Sequence, residues 1–433
     1  MSMDVAKASL VIMLLSFGDT AVAGARPAPD WVQQIEPGTW AAISLNTLSD
    51  VDPAKDPEIN PRHPRLPPWS PAGQGPVLNV WNGGVFATSF GASGALLVIG
   101  GGHAAYYGNE IYAFDLATRR WQRLTNPYPS PYFPVTDGIW PDGTPSVPHT
   151  YDQVDYHPGT NSFVMMRTQH HNLGGYNTPI VFMFSLDGLL PPGTNANRDL
   201  NKKNWRYSSV NPLDHARSGG WSAYDSKRDL LWAHGGDGPR NAFASYDPEP
   251  VDKNGRHGVF QNYPIRSNII NGGAAYDPEN DLILFTEFRA APDIWAIDLS
   301  KPGAGRDGNV RILQSGTPPL LEESHGWEWS PTRKAFVYYR RGSGVYELKQ
   351  QQQDWRTSPW HWTDLTSARN TVVPEGERSN GTNGVHSKFR LATYSDAEIA
   401  LVVSEIDQAV YAFRIPSPGT DSRPRPPAEL SAR

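Results

Sequence analysis

The chain contains no cysteine among its 433 residues. It can therefore form neither a disulfide framework nor a thiolate metal site, and it has no cysteine nucleophile. The sequence also lacks a Gly-x-Ser-x-Gly motif, which counts against serine-type acyl transfer. No segment has the periodicity of a long amphipathic helix. With cysteine absent, histidine, tyrosine and arginine are the side chains considered for chemistry.

An excess of basic residues is also missing: the chain has 38 Lys and Arg against 44 Asp and Glu, a net charge of −6. This balance argues against a nucleic-acid partner, because such proteins usually carry a net basic face. An anionic ligand would need a local cluster of basic side chains. Without such a cluster, overall charge would repel it.

Long apolar runs are scarce, and the one near the N-terminus covers about ten residues, Ala8 to Phe17, after Lys7. Such a run is too short to span a bilayer. With the small residues at 21–25 it predicts a signal peptide over residues 1–25. We therefore expect an exported protein, secreted or periplasmic, with no membrane partner.

A unit that recurs six times is the strongest feature present. Each copy has small residues, an aromatic residue, a turn, an apolar run, a polar loop and a second apolar run. Successive central aromatics are 70, 68, 52, 53 and 65 residues apart. Periods of this order indicate propellers or solenoids. The central aromatics are Phe86, Tyr156, Tyr224, Tyr276, Trp329 and Tyr394.

The repeat predicts an all-β fold, a single six- or seven-bladed β-propeller with four-stranded blades over residues 26–415. The 40 glycines and 40 prolines suit many short strands joined by tight turns. A propeller must hide its end strands, so we interpret residues 40–45 as a closing strand paired with the sixth unit. The proline-rich segment 50–76 is a linker, and residues 416–433 are predicted to be a disordered tail.

Histidines are distributed unevenly over the predicted strands. In an antiparallel meander the start of the first strand and the end of the second lie at one end. Eight of the 12 histidines map to that end: His103, His149, His170, His171, His215, His234, His325 and His386. Six arginines map there too: Arg167, Arg217, Arg240, Arg289, Arg340 and Arg341. Such a set favours a binding or catalytic site on one face, although polar residues also collect in loops.

Histidine, tyrosine and arginine together suit the removal of a proton alpha to a uronate carboxylate. Arginine neutralises the carboxylate, a base takes the proton, and an acid protonates the departing glycosidic oxygen. The residues therefore indicate eliminative cleavage of an acidic polysaccharide.

The Kelch-like repeats and the segment from Gly100-Gly101-Gly102-His103 to Gly108–Asp115 resemble the propeller polysaccharide lyases, particularly the ulvan lyases. Those enzymes use two histidines from one blade and a tyrosine and an arginine from the next. The resemblance implies catalytic roles for His149, His170, Tyr224 and Arg240, with Tyr224 as the base. Each has a structural alternative, and for Tyr224 this is a core position shared with Tyr156 and Tyr276.

Further residues of the same face are predicted to bind substrate: His103, Tyr107, His171, Arg217, Arg289, His325 and Arg340. The tyrosines Tyr106, Tyr107, Tyr151 and Tyr176 could stack on sugar rings or pack between loops. The sequence requires no cofactor, while the resemblance is compatible with a bound zinc or calcium ion. It also carries no signal for an oligomeric state.

Two other functions stay open. One is a non-catalytic propeller that binds glycan or protein. The other is a metal-dependent hydrolase using His170, His171, His215, His234 and His325 with Glu322 and Glu323, although no compact ligand spacing is present.

Overall fold

A computed structural model of the chain contains 42% strand and 8% helix, which makes the fold all-β with a propeller-like arrangement. The structure describes residues 26–59, 74–79, 81–101, 106, 108–129, 138–146, 149–166, 168–170, 176–178, 180–210, 219–235, 243–263, 272–287, 293–302, 309–322, 325–340, 342, 344–374 and 388–419.

The strands follow the repeat closely, with one N-terminal strand before the first unit. They are β1 (Trp40–Ala42), β2 (Gly84–Ala87), β3 (Ala95–Ile99), β4 (Ile111–Asp115), β5 (Arg120–Arg123), β6 (Val154–His157), β7 (Ser162–Met165), β8 (Thr168–His170), β9 (Tyr176–Thr178), β10 (Ile180–Ser185), β11 (Trp205–Val210), β12 (Trp221–Asp225), β13 (Leu230–His234), β14 (Phe243–Val251), β15 (His257–Tyr263), β16 (Ala274–Asp277), β17 (Leu282–Glu287), β18 (Asp293–Asp298), β19 (Asn309–Arg311), β20 (Gln314–Gly316), β21 (Gly326–Ser330), β22 (Ala335–Tyr339), β23 (Val345–Gln350), β24 (Trp360–Asp364), β25 (Arg390–Thr393), β26 (Glu398–Val402) and β27 (Tyr411–Arg414).

The helices are short; the first precedes β1, and the others lie in segments that connect strands. They are α1 (Asp30–Gln33), α2 (Pro76–Asn79) and α3 (Asn195–Asn201), with single 3₁₀ turns at Leu48–Val51, Pro53–Lys55 and Lys202–Asn204. None of the helices in the described part of the chain has the length and apolar character needed to cross a membrane.

Antiparallel pairing builds a four-stranded meander from each of the first five repeats, and β1 supplies the fourth strand of the sixth. The meanders do not all form separate sheets. Four sheets of four or five strands are separate, whereas the second and third units share one eight-stranded sheet. A single parallel pair, Ser208 with His257, joins their outer strands β11 and β15. At the inner side Asp152 bridges Trp221, so that this sheet nearly closes on itself. The prediction of six or seven separate blades is therefore corrected to four blades and one eight-stranded sheet.

The innermost strands form a ring around a central axis. Each of β2, β6, β12, β16, β21 and β25 contacts the next, and β25 contacts β2. Buried apolar side chains form six clusters, one between each pair of consecutive units. Alternation within one strand explains this arrangement: Leu96 packs in one cluster and Leu97 in the next, because successive side chains point to opposite faces.

The N-terminal strand lies at the outer edge of the sixth unit. Trp40 pairs with Phe413 and Ala42 with Tyr411. The Trp40 ring also lies 5.1 Å from the ring of Tyr339 in the fifth unit. The chain thereby covers the edge of β27, which would otherwise present unpaired backbone groups.

A charged group fills the axis of the ring. The guanidinium of Arg390, on β25, donates to the carbonyls of Gly84 (2.8 Å) and Val154 (3.0 Å) and pairs with the carboxylate of Glu328. The carboxylate of Asp155 lies close enough to interact electrostatically with the same guanidinium. Burial raises the pKa of Asp155 to about 7, with Arg390 opposing the shift and Glu328 adding to it. One arginine thus faces two acids, and burial also raises the pKa of Glu328.

We expect the variant Asp155→Asn to be more stable than the native chain at pH 8. The folded-state pKa of Asp155 is about 7 against an ordinary 3.8, so the folded state holds this proton more tightly. Native stability should then fall as pH rises from about 4 to 7, by up to roughly 4 kcal/mol, and the asparagine removes that loss. Urea unfolding at pH 5 and pH 8 measures the difference. The exposed Asp407→Asn is the control, and parallel profiles for all three proteins would contradict the assignment.

Candidate functional site

The disc has two distinct ends, because all six innermost strands run in the same direction. We call the end at which these strands begin the upper face, and the end at which the first strand turns into the second the lower face. The histidine-rich end of the sequence analysis corresponds to the upper face.

Several predicted site residues lie outside the described residues: His103, Tyr107, His171, Arg217, Arg240 and Arg289. His170 lies in β8, where its backbone pairs with Tyr176. The roles of these residues stay predictions. His149, His325, Tyr224 and Arg340 are the predicted site residues whose surroundings can be examined.

His149 lies just before β6 and is 3% exposed. Its ring stacks on Trp81 (centroids 6.1 Å apart, 29° between planes) and meets Tyr151 edge-on at 6.0 Å. Trp81 and Tyr151 hold equivalent places before the first strands of neighbouring units. His149 is therefore held in an aromatic corner on the upper face.

His325, just before β21, is buried and neutral. Its Nδ1 lies 2.9 Å from the carbonyl of Glu322, which can only accept, so Nδ1 carries the proton. Nε2 then accepts from the hydroxyl of Thr286 at 3.1 Å. Burial lowers the pKa of His325 to about 4. The side chain is thus an oriented, uncharged imidazole at the junction of the fourth and fifth units.

The other described histidine of the upper face, His234, is fully buried and stacks on Trp221 at 5.6 Å. Burial lowers its pKa to about 3. Within the described ranges no three His, Asp or Glu side chains are arranged to hold a metal ion. The histidines thus do not form a metal centre in this part of the chain.

Lys388 and Asp152 are charged residues of the upper face that the sequence analysis missed. Lys388 is fully buried before β25, and its ammonium group donates to the carbonyl of Asn82 in the first unit. Burial lowers the pKa of Lys388 to about 7, while Glu405 and Asp152 act in the opposite direction. A lysine with this pKa exists partly as the neutral amine near neutral pH, and only that form can accept a proton.

Asp152 lies between the second, third and fourth units. Its carbonyl accepts from Ser222 N at 2.8 Å and its Oδ2 from Ala274 N at 3.2 Å. Gly273 leaves room beside it: a Cβ at that position would lie 3.3 Å from Asp152 Oδ2 and 3.5 Å from His325 Nε2. Asp152 and His325 thus both lie next to the backbone of Gly273.

Tyr224 lies at the lower face and does not converge with His149. Its hydroxyl donates to Asp229 Oδ1 at 2.7 Å, in the turn between β12 and β13. Trp221, at the upper end of the strand, is three residues or about 10 Å away. Burial and the bond to Asp229 raise the pKa of Tyr224 above the usual range, whereas a base needs a lowered one. This geometry disfavours Tyr224 as the catalytic base.

The position of Tyr224 is a repeated structural feature. Tyr276 donates to Asp281 at 2.9 Å in the same way. Asp229 and Asp281 have φ values of 52° and 58°, a left-handed conformation that Asp tolerates better than most residues. The structural alternative for Tyr224 is therefore the better interpretation.

Two more predicted residues have structural partners. Arg340 pairs with Glu322 at 3.0 Å and is half-buried at the rim of the fifth unit. Tyr106 is 6% exposed, and its hydroxyl donates to the buried Glu110, which also accepts from Tyr112. Tyr106 packs in the core and is not a surface for sugar stacking.

The missed residues carried a weak sequence signal. Asp152 and Lys388 each lie two residues before the first strand of a unit, in segments where the sequence analysis singled out His149 and His386. Their place just before an innermost strand could have identified Asp152 and Lys388 as candidates. Histidine and arginine were the only charged residue types considered in these segments. The buried setting that lowers the lysine pKa depends on contacts between the first, second and sixth units.

No family model matches the sequence, and no curated protein matches it. One similar solved structure is an engineered GH43 glycoside hydrolase with endo-xylanase and exo-arabinofuranosidase activity (15% identity, 76% of this chain and 66% of that chain, TM-score 0.36). A second is TolB from Acinetobacter baumannii (12% identity, 72% of this chain and 60% of that chain, TM-score 0.31). A third is an endo-1,4-beta-xylanase from Bacteroides thetaiotaomicron (13% identity, 61% of this chain and 89% of that chain, TM-score 0.32). This chain thus covers less than two thirds of the length of the first two of these proteins. Likenesses this distant assign no activity to it.

We expect Tyr224→Phe and Tyr276→Phe to lower the free energy of unfolding by the same amount, about 1 kcal/mol each. Each change removes one hydrogen bond between a tyrosine hydroxyl and a turn carboxylate. Urea unfolding of both variants beside the native chain measures the effect. A Tyr224 variant of native stability beside a destabilised Tyr276 variant would contradict the structural role.

Proposed function

We propose that the chain is an exported polysaccharide lyase that cleaves a uronate-containing glycan by beta-elimination at the upper face, with Lys388 as the base. The observation that carries this proposal is the buried Lys388 ammonium group, whose pKa is lowered to about 7, on the face that also holds His149 and Asp152. Strongly perturbed lysines beside a carboxylate are frequent at catalytic sites. Export is supported by the signal-peptide pattern of residues 1–25.

In the proposed reaction the neutral amine of Lys388 takes the proton from the carbon alpha to the uronate carboxylate. The electron pair left behind forms a double bond to the neighbouring carbon as that carbon loses its glycosidic oxygen. The departing oxygen receives a proton from His149. Asp152 stabilises the ammonium form of Lys388 that results, because opposite charges attract strongly at a buried site. Arg240 would pair with the carboxylate, and His170 would assist proton transfer or polarise the carboxylate.

We expect Lys388→Met to lower kcat by about 10²- to 10⁴-fold on a uronate polysaccharide, because the proton acceptor is lost. Native activity should rise with pH through about 7, since the amine must be deprotonated. Ultraviolet absorbance of the unsaturated product measures both, with ulvan, alginate, pectate and glycosaminoglycans as substrates.

Lys334→Met is the matched control, because Lys334 is an exposed lysine of the lower face paired with Glu279 at 3.0 Å. It should keep native activity. Because Lys388→Met removes the cation that interacts with Asp152 and Glu405, the variant should unfold at a lower temperature than the native chain, and both proteins are assayed well below that temperature. Activity of Lys388→Met within threefold of native, or no product from any of the four glycans, would refute the proposal.

A second candidate is a propeller that binds a glycan without cleaving it. The observation that favours it is the complete burial of Lys388, together with 3% and 4% exposure of His149 and His325. Calorimetric binding of a uronate oligosaccharide with no product after prolonged incubation would support this candidate against the lyase.

A further inference from the structure

Two bulky residues at the upper face have a strained backbone. Trp81 and Tyr151 have φ values of 46° and 49°, in the left-handed region that side chains with a Cβ rarely adopt. This conformation is unfavourable because the Cβ atom comes too close to the following carbonyl oxygen. They precede β2 and β6, at equivalent points of neighbouring units.

This strain differs from the strain elsewhere in the described part of the chain. The remaining non-glycine residues with positive φ all lie in tight turns of the lower face, where a chain reversal requires that conformation: Arg119, Asn161, Asp229, Asp281 and Lys334. Trp81 and Tyr151 instead lie on the approach to innermost strands. Strain that no hairpin requires persists where the surroundings enforce it, often at binding sites.

The surroundings of this corner are well defined. Tyr151 N donates to the carbonyl of Trp81 at 2.9 Å, and Gly83 N donates to Thr150 Oγ1 at 2.7 Å. The Thr150 hydroxyl in turn donates to Asn82 Oδ1 at 3.2 Å. The two approach segments are therefore bonded side by side, and this fixes the direction of both aromatic side chains.

The three rings of the corner differ in exposure. His149 and Tyr151 are 3% and 5% exposed, whereas Trp81 is only partly buried. Trp81, whose indole stacks on His149, is thus the one residue of the three that is not classed as buried. An indole held rigidly at low entropic cost is well suited to pack against the apolar C–H face of a sugar ring.

We propose that Trp81 forms a binding subsite for one sugar ring of a glycan chain, next to His149. This inference rests on the proposed function for the identity of the glycan and on the local geometry for the subsite itself. The strained backbone presents the indole, and the hydrogen bonds among Asn82, Gly83 and Thr150 hold it there.

The test uses the full chain with Lys388→Met, which stops turnover, and measures oligosaccharide binding by calorimetry. Probes are uronate oligosaccharides from the four polysaccharides and neutral xylo- and cello-oligosaccharides. Adding Trp81→Ala should weaken binding of the preferred probe about tenfold or more, and Trp81→Phe should keep most of the affinity. The control is Trp329→Phe, at a partly buried tryptophan in the repeated aromatic position of the fifth unit. This variant should bind the oligosaccharides with unchanged affinity.

Trp81→Gly separates binding from folding. Glycine adopts positive φ without strain, so this variant should be at least as stable as Trp81→Ala while binding equally weakly. Affinity that is within twofold of native in Trp81→Ala, or the absence of Trp81-dependent binding for every probe, would overturn the subsite. Product formation by the native chain is scored separately, so a failed lyase proposal with Trp81-dependent binding still supports the subsite.

Discussion

The closed ring of innermost strands depends on one guanidinium at its centre. Arg390, from the last unit, donates to backbone carbonyls of the first and second units and pairs with a carboxylate of the fifth. Edge strands facing a narrow channel leave polar backbone groups that need partners, and burying them unpaired would be costly. A single planar side chain with five donors meets several of these needs. Its charge also lowers the pKa values of Asp155 and Glu328, against the effect of burial, which raises both.

The two faces of the disc use polar residues differently. At the lower face, side chains join the turns of consecutive units: His157 Nε2 lies 2.9 Å from the carbonyl of Asp229, and Arg228 pairs with Asp281. At the upper face, the buried Lys388, Asp152 and His325 meet where several units converge, and a strained aromatic corner lies beside them. Polar side chains thus join consecutive units at both faces, through turns at the lower face and at the heads of the innermost strands at the upper face.

Much of the fold could be predicted from the sequence because the repeat is encoded locally. The repeat units centred on Phe86 and Tyr224 correspond to the innermost strands β2 and β12, because alternation and turn residues can be recognised in a short window of sequence. The merging of two units into one sheet could not be predicted, because it depends on one pair between Ser208 and His257, residues far apart in sequence. Strand order alone predicted that a site would lie on one face, and this stays a prediction. The bond of Tyr224 to Asp229 could not be predicted, because a tyrosine of the repeat looks the same in sequence whether it binds substrate or a turn.

The central claim is that the reaction takes place at the upper face, with Lys388 as the proton acceptor. The most direct measurement is a crystal structure of Lys388→Met with a uronate oligosaccharide bound. The account predicts a sugar ring against Trp81 and the carbon alpha to a uronate carboxylate within about 3.5 Å of the position vacated by the Lys388 amine. An oligosaccharide bound at the lower face, or on the upper face with its uronate carboxylate turned away from position 388, would contradict it.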